Sequence, residues 1–155
     1  MREMRRKDRS IGTEDCREIL KRGEYGILST SDEDNNPHGT PLSYVFDGDS
    51  IWFHSAIEGH TRSNIEANPR ASFLVIGRTE VLPEKFSTIY ESVILKGRVE
   101  ICSGTDKKKG LMLLTEKYCP EMMVRGSQYA DEASERVTVY RFAIENMTGK
   151  ARYNH

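Results

Sequence analysis

Strand-favouring segments that follow one another at short intervals constrain the fold of this chain more than any other sequence feature. Each segment is rich in β-branched, aromatic and aliphatic residues, and turn residues separate most of them. The segments are Tyr25 to Thr30, Thr40 to Phe46, Ile51 to Ala56, Ala71 to Ile76, Ile89 to Cys102 and Val137 to Ile144. A parallel sheet would need a helical crossover at nearly every step. The pattern therefore predicts a mainly β fold with short α-helices, arranged as a small antiparallel barrel.

Three helices are predicted between these strands. They are Thr13 to Arg22, which Gly23 ends, Thr61 to Asn68, which Pro69 ends, and Thr105 to Tyr118. The third helix carries large residues near one face, and they favour packing against the sheet over a cofactor-binding role. These residues are Leu111, Met112, Leu114 and Tyr118.

Length, charge and cysteine content limit the classes of protein to which the chain can belong. Its 155 residues fit one domain, 1–155. Lys plus Arg number 23 and Asp plus Glu 24, so the net charge of −1 provides no uniform field that would attract nucleic acid or an anionic membrane. The three cysteines are widely spaced, which indicates reduced thiols, and no segment is apolar over a membrane-spanning length. We therefore expect a soluble, cytoplasmic protein.

The familiar catalytic and metal-binding motifs are missing from the sequence. The histidines are His38, His54, His60 and His155, and no pair has the helical spacing of a zinc site. His38 follows a polar turn, which predicts a surface position. No nucleophilic serine elbow, P-loop or dinucleotide-binding loop occurs either.

The segment from Ile51 to Pro69 is the strongest candidate for a functional site. A strand ending in His54 and Ser55 leads through a glycine-containing loop into the second helix. Unpaired amides at a helix start attract anions, and hydroxyl groups and the Arg62 guanidinium would add donors. Phosphate is the ligand that this arrangement favours.

A purely structural alternative accounts for the same residues. Thr61 or Ser63 would then cap the helix, Arg62 would be solvated, and His54 would be a half-buried strand residue. Spacing alone favours this alternative.

Segments spread over most of the chain resemble the flavin-binding split-barrel superfamily of pyridoxamine 5′-phosphate oxidase, and within it the nitroimidazole-resistance (Nim) branch. Their order and spacing make the resemblance specific. The matching segments are Arg5 to Arg9, Gly26 to Thr30, Pro41 to Val45, Phe53 to Ala56, Gly59-His60, Asn68-Pro69, Pro83 to Phe86, Tyr90 to Val93, Gly97 and Thr148 to Arg152.

The resemblance implies a six-stranded split barrel of Greek-key type, which forms a homodimer with FMN between the subunits. It implies that Ser55 contacts the phosphate of FMN. It also implies that His54 is both a cofactor-binding and a catalytic residue, whose imidazole would donate a proton or a hydrogen bond. The flavin ring would be bordered by Thr40, Leu42 and Ser43, the phosphate would be flanked by His60, Thr61 and Arg62, and the long strand would contribute Tyr90, Glu91 and Ser92.

One departure from the family pattern concerns the phosphate. Relatives often carry Lys directly after the Gly-His pair, whereas this chain has Thr61 there and Arg62 one position later. A shift of one residue turns a helical side chain by about 100°. Members of the superfamily also use the deazaflavin F420 or haem, so those cofactors remain alternatives to FMN.

The implied function is an FMN-dependent oxidoreductase that reduces a small substrate, such as a nitroimidazole. No nicotinamide-binding fingerprint is visible in the sequence. The reductant would therefore be NAD(P)H that docks only transiently, or a separate electron-donor protein. A non-catalytic flavin-binding dimer, acting as a redox sensor or an electron carrier, and a cofactor-free interaction protein are the alternatives.

Overall fold

A computed structural model describes residues 2–122, 128 and 130–153 and contains eight strands and three longer helices. The strands are β1 (Ser10–Ile11), β2 (Tyr25–Ser31), β3 (Pro37–Ser43), β4 (Val45–Phe46), β5 (Ser50–Ala56), β6 (Arg70–Leu82), β7 (Ser87–Ile101) and β8 (Val137–Arg152). The helices are α1 (Thr13–Arg22), α2 (His60–Ala67) and α3 (Gly104–Tyr118), and short 3₁₀ turns span Lys7–Arg9, Pro83–Lys85 and Pro120–Met122.

The eight strands form one antiparallel sheet in the order β3-β2-β6-β7-β8-β5-β4, with β1 paired to β8. Two of the strands have only two residues, so six longer strands carry the architecture. Strand β3, at one end of the order, contacts β5 near the other end, which means that the sheet curls round on itself. The predicted mainly β, antiparallel fold is confirmed.

Several strands are longer than the sequence pattern indicates. β6 continues to Leu82 and β8 to Arg152, whereas the predicted strands stop at Ile76 and Ile144. Both extensions pair with β7, and the hydrogen bonds of this pairing hold them in strand conformation. Their polar composition does not by itself indicate a strand. Residues 77–82 form the end of β6, and Pro83–Lys85 form a 3₁₀ turn.

The predicted strand from Thr40 to Phe46 is divided into β3 and β4. The break falls at Tyr44, whose fully buried side chain donates a hydrogen bond of 2.6 Å to the Leu20 carbonyl oxygen of α1. β3 also begins at Pro37, earlier than predicted, because it pairs with β2 along its whole length.

Helix α1 has the predicted bounds, and Gly23 follows it as expected. The physical reason for the glycine differs from the usual one, because its φ of −66° is open to any residue. A Cβ at this position would collide with the Tyr44 hydroxyl and would lie 2.9 Å from Val75. Gly23 is therefore required for the close approach of Tyr44 and of β6 to the end of the helix.

Aromatic side chains dominate the main core inside the curled sheet. The Phe53 ring stacks on Tyr140 with centroids 4.9 Å apart, and Phe73 contacts both Phe53 and Tyr44. A second cluster lies on the other face of β5 and β8, where α3 buries Leu111 and Leu114. The predicted packing role of α3 is confirmed for these two leucines. None of the helices within the described ranges is both long and apolar enough to cross a membrane.

The end of α3 is fastened to the end of β3 by two polar side chains. Lys117 donates hydrogen bonds to the carbonyl oxygens of Gly23 and Tyr44, the latter at 2.8 Å, and its ammonium lies 3.9 Å from the centre of the Tyr44 ring. Burial lowers the pKa of Lys117 to about 8. The Tyr118 hydroxyl contacts the Tyr44 backbone and the Glu24 carbonyl oxygen. These contacts fix where β3 stops.

β7 and β8 are tightly packed at Gly97, where the register of their pairing shifts. A Cβ at Gly97 would collide with the backbone carbonyl of Ala143, whereas one at Gly39 would meet only Ile27, at 3.5 Å. We expect Gly97→Ala to lower the free energy of unfolding by about 1–3 kcal/mol, as overpacking does, and Gly39→Ala to lower it much less. Urea denaturation of both variants measures the difference, and equal losses would contradict this account.

Candidate functional site

The junction between β5 and α2 is the structural centre of the candidate site. β5 ends at Ala56 and α2 begins at His60, so the predicted strand-to-helix arrangement is confirmed. The helix starts at Gly59, whose φ of 145° lies in a region that side-chain-bearing residues rarely adopt. No side chain caps the helix, and its first intrahelical hydrogen bond runs from the Ser63 amide to the Gly59 carbonyl. The three preceding amides have no hydrogen-bond partner within the described ranges and can bind an anion.

Ser55 lies beside this helix start in a network of hydroxyl groups. Its Oγ and the Tyr140 hydroxyl are hydrogen-bonded at 2.7 Å, and Ser55 is paired with Thr138 in the β5–β8 ladder. Arg62 donates a hydrogen bond of 3.0 Å to the Thr138 hydroxyl. Burial raises the pKa of Tyr140 above its usual value, so the phenol stays protonated and can donate. The structure thus brings Ser55 and Arg62 together through β8.

The departure at Thr61 and Arg62 has a structural explanation. Thr61 is buried against the sheet, so a side chain at this position does not face the cleft. Arg62 does line the cleft, but its Nε is 2.8 Å from a carboxylate oxygen of Glu66. The cleft measures about 570 Å³ and is lined by Ile57, Glu58, Gly59, Arg62, Ser63 and Glu66. Its lining therefore holds two carboxylates against one guanidinium, a poor charge balance for a phosphate.

His38 joins the site although the sequence predicted only a surface position for it. Its exposed ring stacks on His60, with centroids 5.3 Å apart and an interplanar angle of 24°. The β2–β3 ladder pairs His38 with Thr30, and Thr30 accepts a hydrogen bond of 3.1 Å from Asn64 of α2. The contact depends on hairpin register and helix packing, so no local sequence signal could have revealed it.

His54 and Ser55 point to opposite faces of β5, as adjacent strand residues do. Ser55 shares its face with Phe53 of the main core, whereas His54 lies opposite Val139, which packs in the cluster beneath α3. His54 as a whole is an exposed residue. Partial burial of the ring nevertheless lowers its pKa below 6.5. A ligand that touches both residues would have to pass around the end of the strand.

The three β3 residues of the predicted site are divided between two environments. Thr40 and Leu42 pair with Leu28 and Gly26 of β2, and Leu42 packs partly against the main core. Ser43 is exposed at the other end of the strand, where it lines a second cleft together with Lys117 and Tyr118. Only the Thr40 end of β3 leads towards His38 and α2.

Tyr90, Glu91 and Ser92 lie far from Ser55 within one chain. They pair with Arg152, Ala151 and Lys150, near the end of β8, whereas Ser55 pairs with Thr138, near its start. Fourteen residues of extended strand span on the order of 40 Å.

Glu91 has a structural role in the fold. Burial opposes its ionisation, but hydrogen bonds of 2.9 Å from the Arg78 amide and the Arg22 guanidinium hold its pKa below the usual value.

The described residues contain no group of three or more His, Cys, Asp or Glu side chains that could hold a metal ion. His155 lies outside these residues.

Comparison with known proteins identifies one family. The family model described as pyridoxamine 5′-phosphate oxidase matches residues 13–151, which is most of the chain. No curated protein shows a significant sequence match.

Solved structures share the fold at low sequence identity. A candidate 5-nitroimidazole antibiotic resistance protein from Bacteroides thetaiotaomicron is similar with a TM-score of 0.78 and 21% identity, over 91% of this chain and 85% of that one. A conserved hypothetical protein from Mycobacterium tuberculosis has a TM-score of 0.81 and 19% identity, over 96% and 90%. The flavocytochrome Anf3 from Azotobacter vinelandii has a TM-score of 0.80 and 18% identity, over 98% and 73%.

Gly59 and Gly12 form a matched pair that tests the backbone at the start of α2. Both are helix N-caps, and an added Cβ would meet nothing within 4 Å at either position, but Gly12 has a φ of −71°. We expect Gly59→Ala to destabilise the protein by about 1–3 kcal/mol more than Gly12→Ala, because only the former strains the backbone. Thermal denaturation of the two variants tests this, and equal melting temperatures would refute it.

The pKa of His54 can be measured by following its ring signals with pH in ¹H–¹⁵N spectra, with His54→Gln as the assignment control. Because partial burial disfavours the imidazolium, we expect a midpoint below 6.5. The unfolded chain then binds this proton more tightly, so the contribution of His54 to stability is intact above pH 6.5 and declines as the pH falls below it. A midpoint at or above 6.5 would show that the ring is stabilised as a cation.

Proposed function

The chain belongs to the pyridoxamine 5′-phosphate oxidase family, and from this we propose that it is an FMN-dependent oxidoreductase of the nitroimidazole-resistance type. FMN, when bound, would supply the electrons that reduce a small substrate such as a nitroimidazole. The observation that carries the proposal is the uncapped start of α2 at Gly59, which presents free amides beside the Ser55 hydroxyl.

The hydrogen-bond donors at the start of α2 suit the acceptor oxygens of the FMN phosphate. The amides of His60, Thr61 and Arg62 would donate to it, and the dipole of α2 favours a negative charge at this end. The Ser55 Oγ donates to the Ala56 carbonyl oxygen at 3.0 Å and is hydrogen-bonded to the Tyr140 hydroxyl, so its single O–H would have to rotate away from Ala56 to donate to the phosphate.

A homodimer is the assembly that we propose for this site. Tyr90 and Ser92 lie near the far end of β8 from Ser55, so one FMN could contact both regions only if two chains contribute. The half-buried Tyr90 and the exposed Ile76 and Ile94 leave this outer sheet surface partly apolar, as expected of a surface that a second chain covers.

His54 would act on the substrate side of the site. Because partial burial lowers its pKa, the imidazole is neutral at pH 7 and donates a hydrogen bond from its ring N–H rather than a full charge. If the imidazolium is instead the proton donor, turnover should fall as the pH rises through the pKa of His54, below 6.5.

The separation of His54 from Ser55 on opposite faces of β5 favours a second function, a non-catalytic flavin-binding dimer that carries electrons or senses redox state. Such a protein would keep the phosphate-binding residues but would not need a proton donor near the substrate.

An absorption spectrum followed by two kinetic experiments tests these proposals. We expect the purified or FMN-supplemented protein to show flavin bands. Haem or deazaflavin bands would show that the bound cofactor is haem or a deazaflavin and not FMN. A protein that takes up no FMN in a fluorescence titration would refute both flavin functions. Stopped-flow mixing of the anaerobically reduced protein with a nitroimidazole should reoxidise the flavin faster than a nitroimidazole-free control, and an unchanged rate would favour the carrier.

The His54→Ala variant separates binding from chemistry. We expect FMN binding close to that of the wild type, since His54 faces away from Ser55, and a loss of turnover of about 10²–10⁴-fold if the ring transfers the proton. Unchanged turnover with FMN bound would rule out a catalytic role for His54.

A further inference from the structure

Two arginines lie directly opposite each other where β6 begins. The β6–β7 ladder pairs Arg70 with Arg98, and the next pair on the same face joins Ser72 to Lys96. Ala71, which separates the two pairs along β6, packs against the main core, so the four side chains lie on the outer face of the sheet. Three cations therefore occupy two neighbouring rows of one sheet surface.

These cations lack the charge compensation that the same face provides elsewhere. Among the residues that the structure describes, Arg70, Lys96 and Arg98 take part in no ion pair. Further along the same face, Glu100 and Arg141 are directly opposed and form an ion pair of 3.5 Å. Like charges directly opposite each other destabilise a sheet. An anion bound between the two guanidinium groups would remove this repulsion.

A small cleft of about 330 Å³ adjoins the opposed arginines. Its polar lining residues are Ser31, Asn68, Arg70, Ser72, Lys96 and Glu145. The Asn68 amide donates a hydrogen bond of 3.3 Å to the Ser31 Oγ, which leaves the hydroxyl hydrogen of Ser31 available to a ligand. A cleft of this size lies at the lower end of the range for small-molecule sites, so it suits a small ligand.

Glu145 reaches this cleft because it is the extra residue of the bulge between β7 and β8. The ladder pairs Lys96 with Asn146 and Gly97 with Ile144, so Glu145 has no partner across the ladder. Bulges redirect side chains and are frequent beside functional sites. The three cations and this carboxylate give a local charge of about +2, opposite in sign to the chain's net charge of −1. A phosphate monoester carries a charge of about −1.5 to −2 at pH 7, which matches it.

We propose that this cleft binds a small phosphate monoester, whose phosphate group is held by Arg70, Lys96 and Arg98. The hydroxyl groups of the lining would donate further hydrogen bonds to it. Glu145 would disfavour ligands of higher negative charge, such as a diphosphate. The cleft adjoins Asn68, just beyond the C-terminal end of α2, so it is separate from the amides at the start of that helix. It therefore goes beyond the proposed function and does not depend on it.

Titration of the protein with inorganic phosphate, followed in ¹H–¹⁵N spectra at constant ionic strength, tests the proposal. We expect saturable shifts of the Ser72 and Lys96 amide signals that chloride does not reproduce. Arg98→Gln should weaken phosphate binding by about tenfold, since it removes a charge-assisted hydrogen bond. Glu145→Gln should tighten it, because a like charge is removed. Arg136→Gln is the matched control, since it removes one charge from an exposed residue directly before β8 and should leave binding unchanged.

Thermal denaturation provides an independent measure of the repulsion between the opposed arginines. In phosphate-free buffer of low salt, we expect Arg98→Gln to raise the melting temperature by about 1–3 °C, because one of two like charges is gone. Added phosphate should then stabilise the wild type more than the variant, since only the wild type retains the complete site.

The opposite results overturn the proposal in distinguishable ways. Phosphate shifts confined to the amides of His60 to Arg62 would place the anion at the start of α2 alone. Equal phosphate affinities of the wild type and Arg98→Gln would show that the cations do not bind the ligand. If Arg98→Gln instead lowers the sedimentation coefficient from dimer to monomer and leaves phosphate affinity unchanged, the cations belong to a contact between copies of the chain.

Discussion

The β7–β8 ladder is the constraint on which the rest of the structure depends. β8 pairs with β7, β5 and β1, so one sixteen-residue strand holds the N-terminal segment, the long hairpin and the β5–α2 junction in one sheet. The bulge near Gly97 lets the two strands stay paired as the sheet curls, because an extra residue increases local bending and twist. Thr138 and Arg152 are consequently fixed at opposite ends of one rigid element.

That separation accounts for the divided character of the candidate site. Near one end of β8, hydroxyl groups and helix amides can hold an anion, but the adjacent cleft also carries Glu58 and Glu66. Near the other end, Arg9, Lys150 and Arg152 have no bonded carboxylate among the residues that the structure describes. Strong attraction between the two would collapse a flexible chain, but a strand cannot fold back on itself over this distance. The two regions therefore cannot neutralise each other within one chain.

Local sequence signals were sufficient to predict much of this architecture. α1, α2 and β5 have the predicted bounds to within a residue, because glycine and proline mark their ends directly. The C-terminal half of β8 and the end of β6 were missed, since their polar residues become strands only through pairing with β7. The contacts of Ser55 with Tyr140 and of His38 with His60 join residues distant in sequence, so they depend on registers that no local pattern specifies. The resemblance named the Ser55 region as the site, but the opposed directions of His54 and Ser55 required the register of β5.

The turn at Asp47 fixes the orientation of the Trp52 indole. Its carboxylate accepts hydrogen bonds from the amides of Asp49 and Ser50 and from the indole of Trp52, at 2.8 Å. Trp52 is the only tryptophan in the sequence, is 2% exposed, and lies two residues before His54 on the same face of β5. The molecule therefore contains a single indole emitter, which has a fixed orientation near the candidate site. The efficiency of energy transfer from this indole to any bound chromophore would report how close, and at what angle, that chromophore lies to His54.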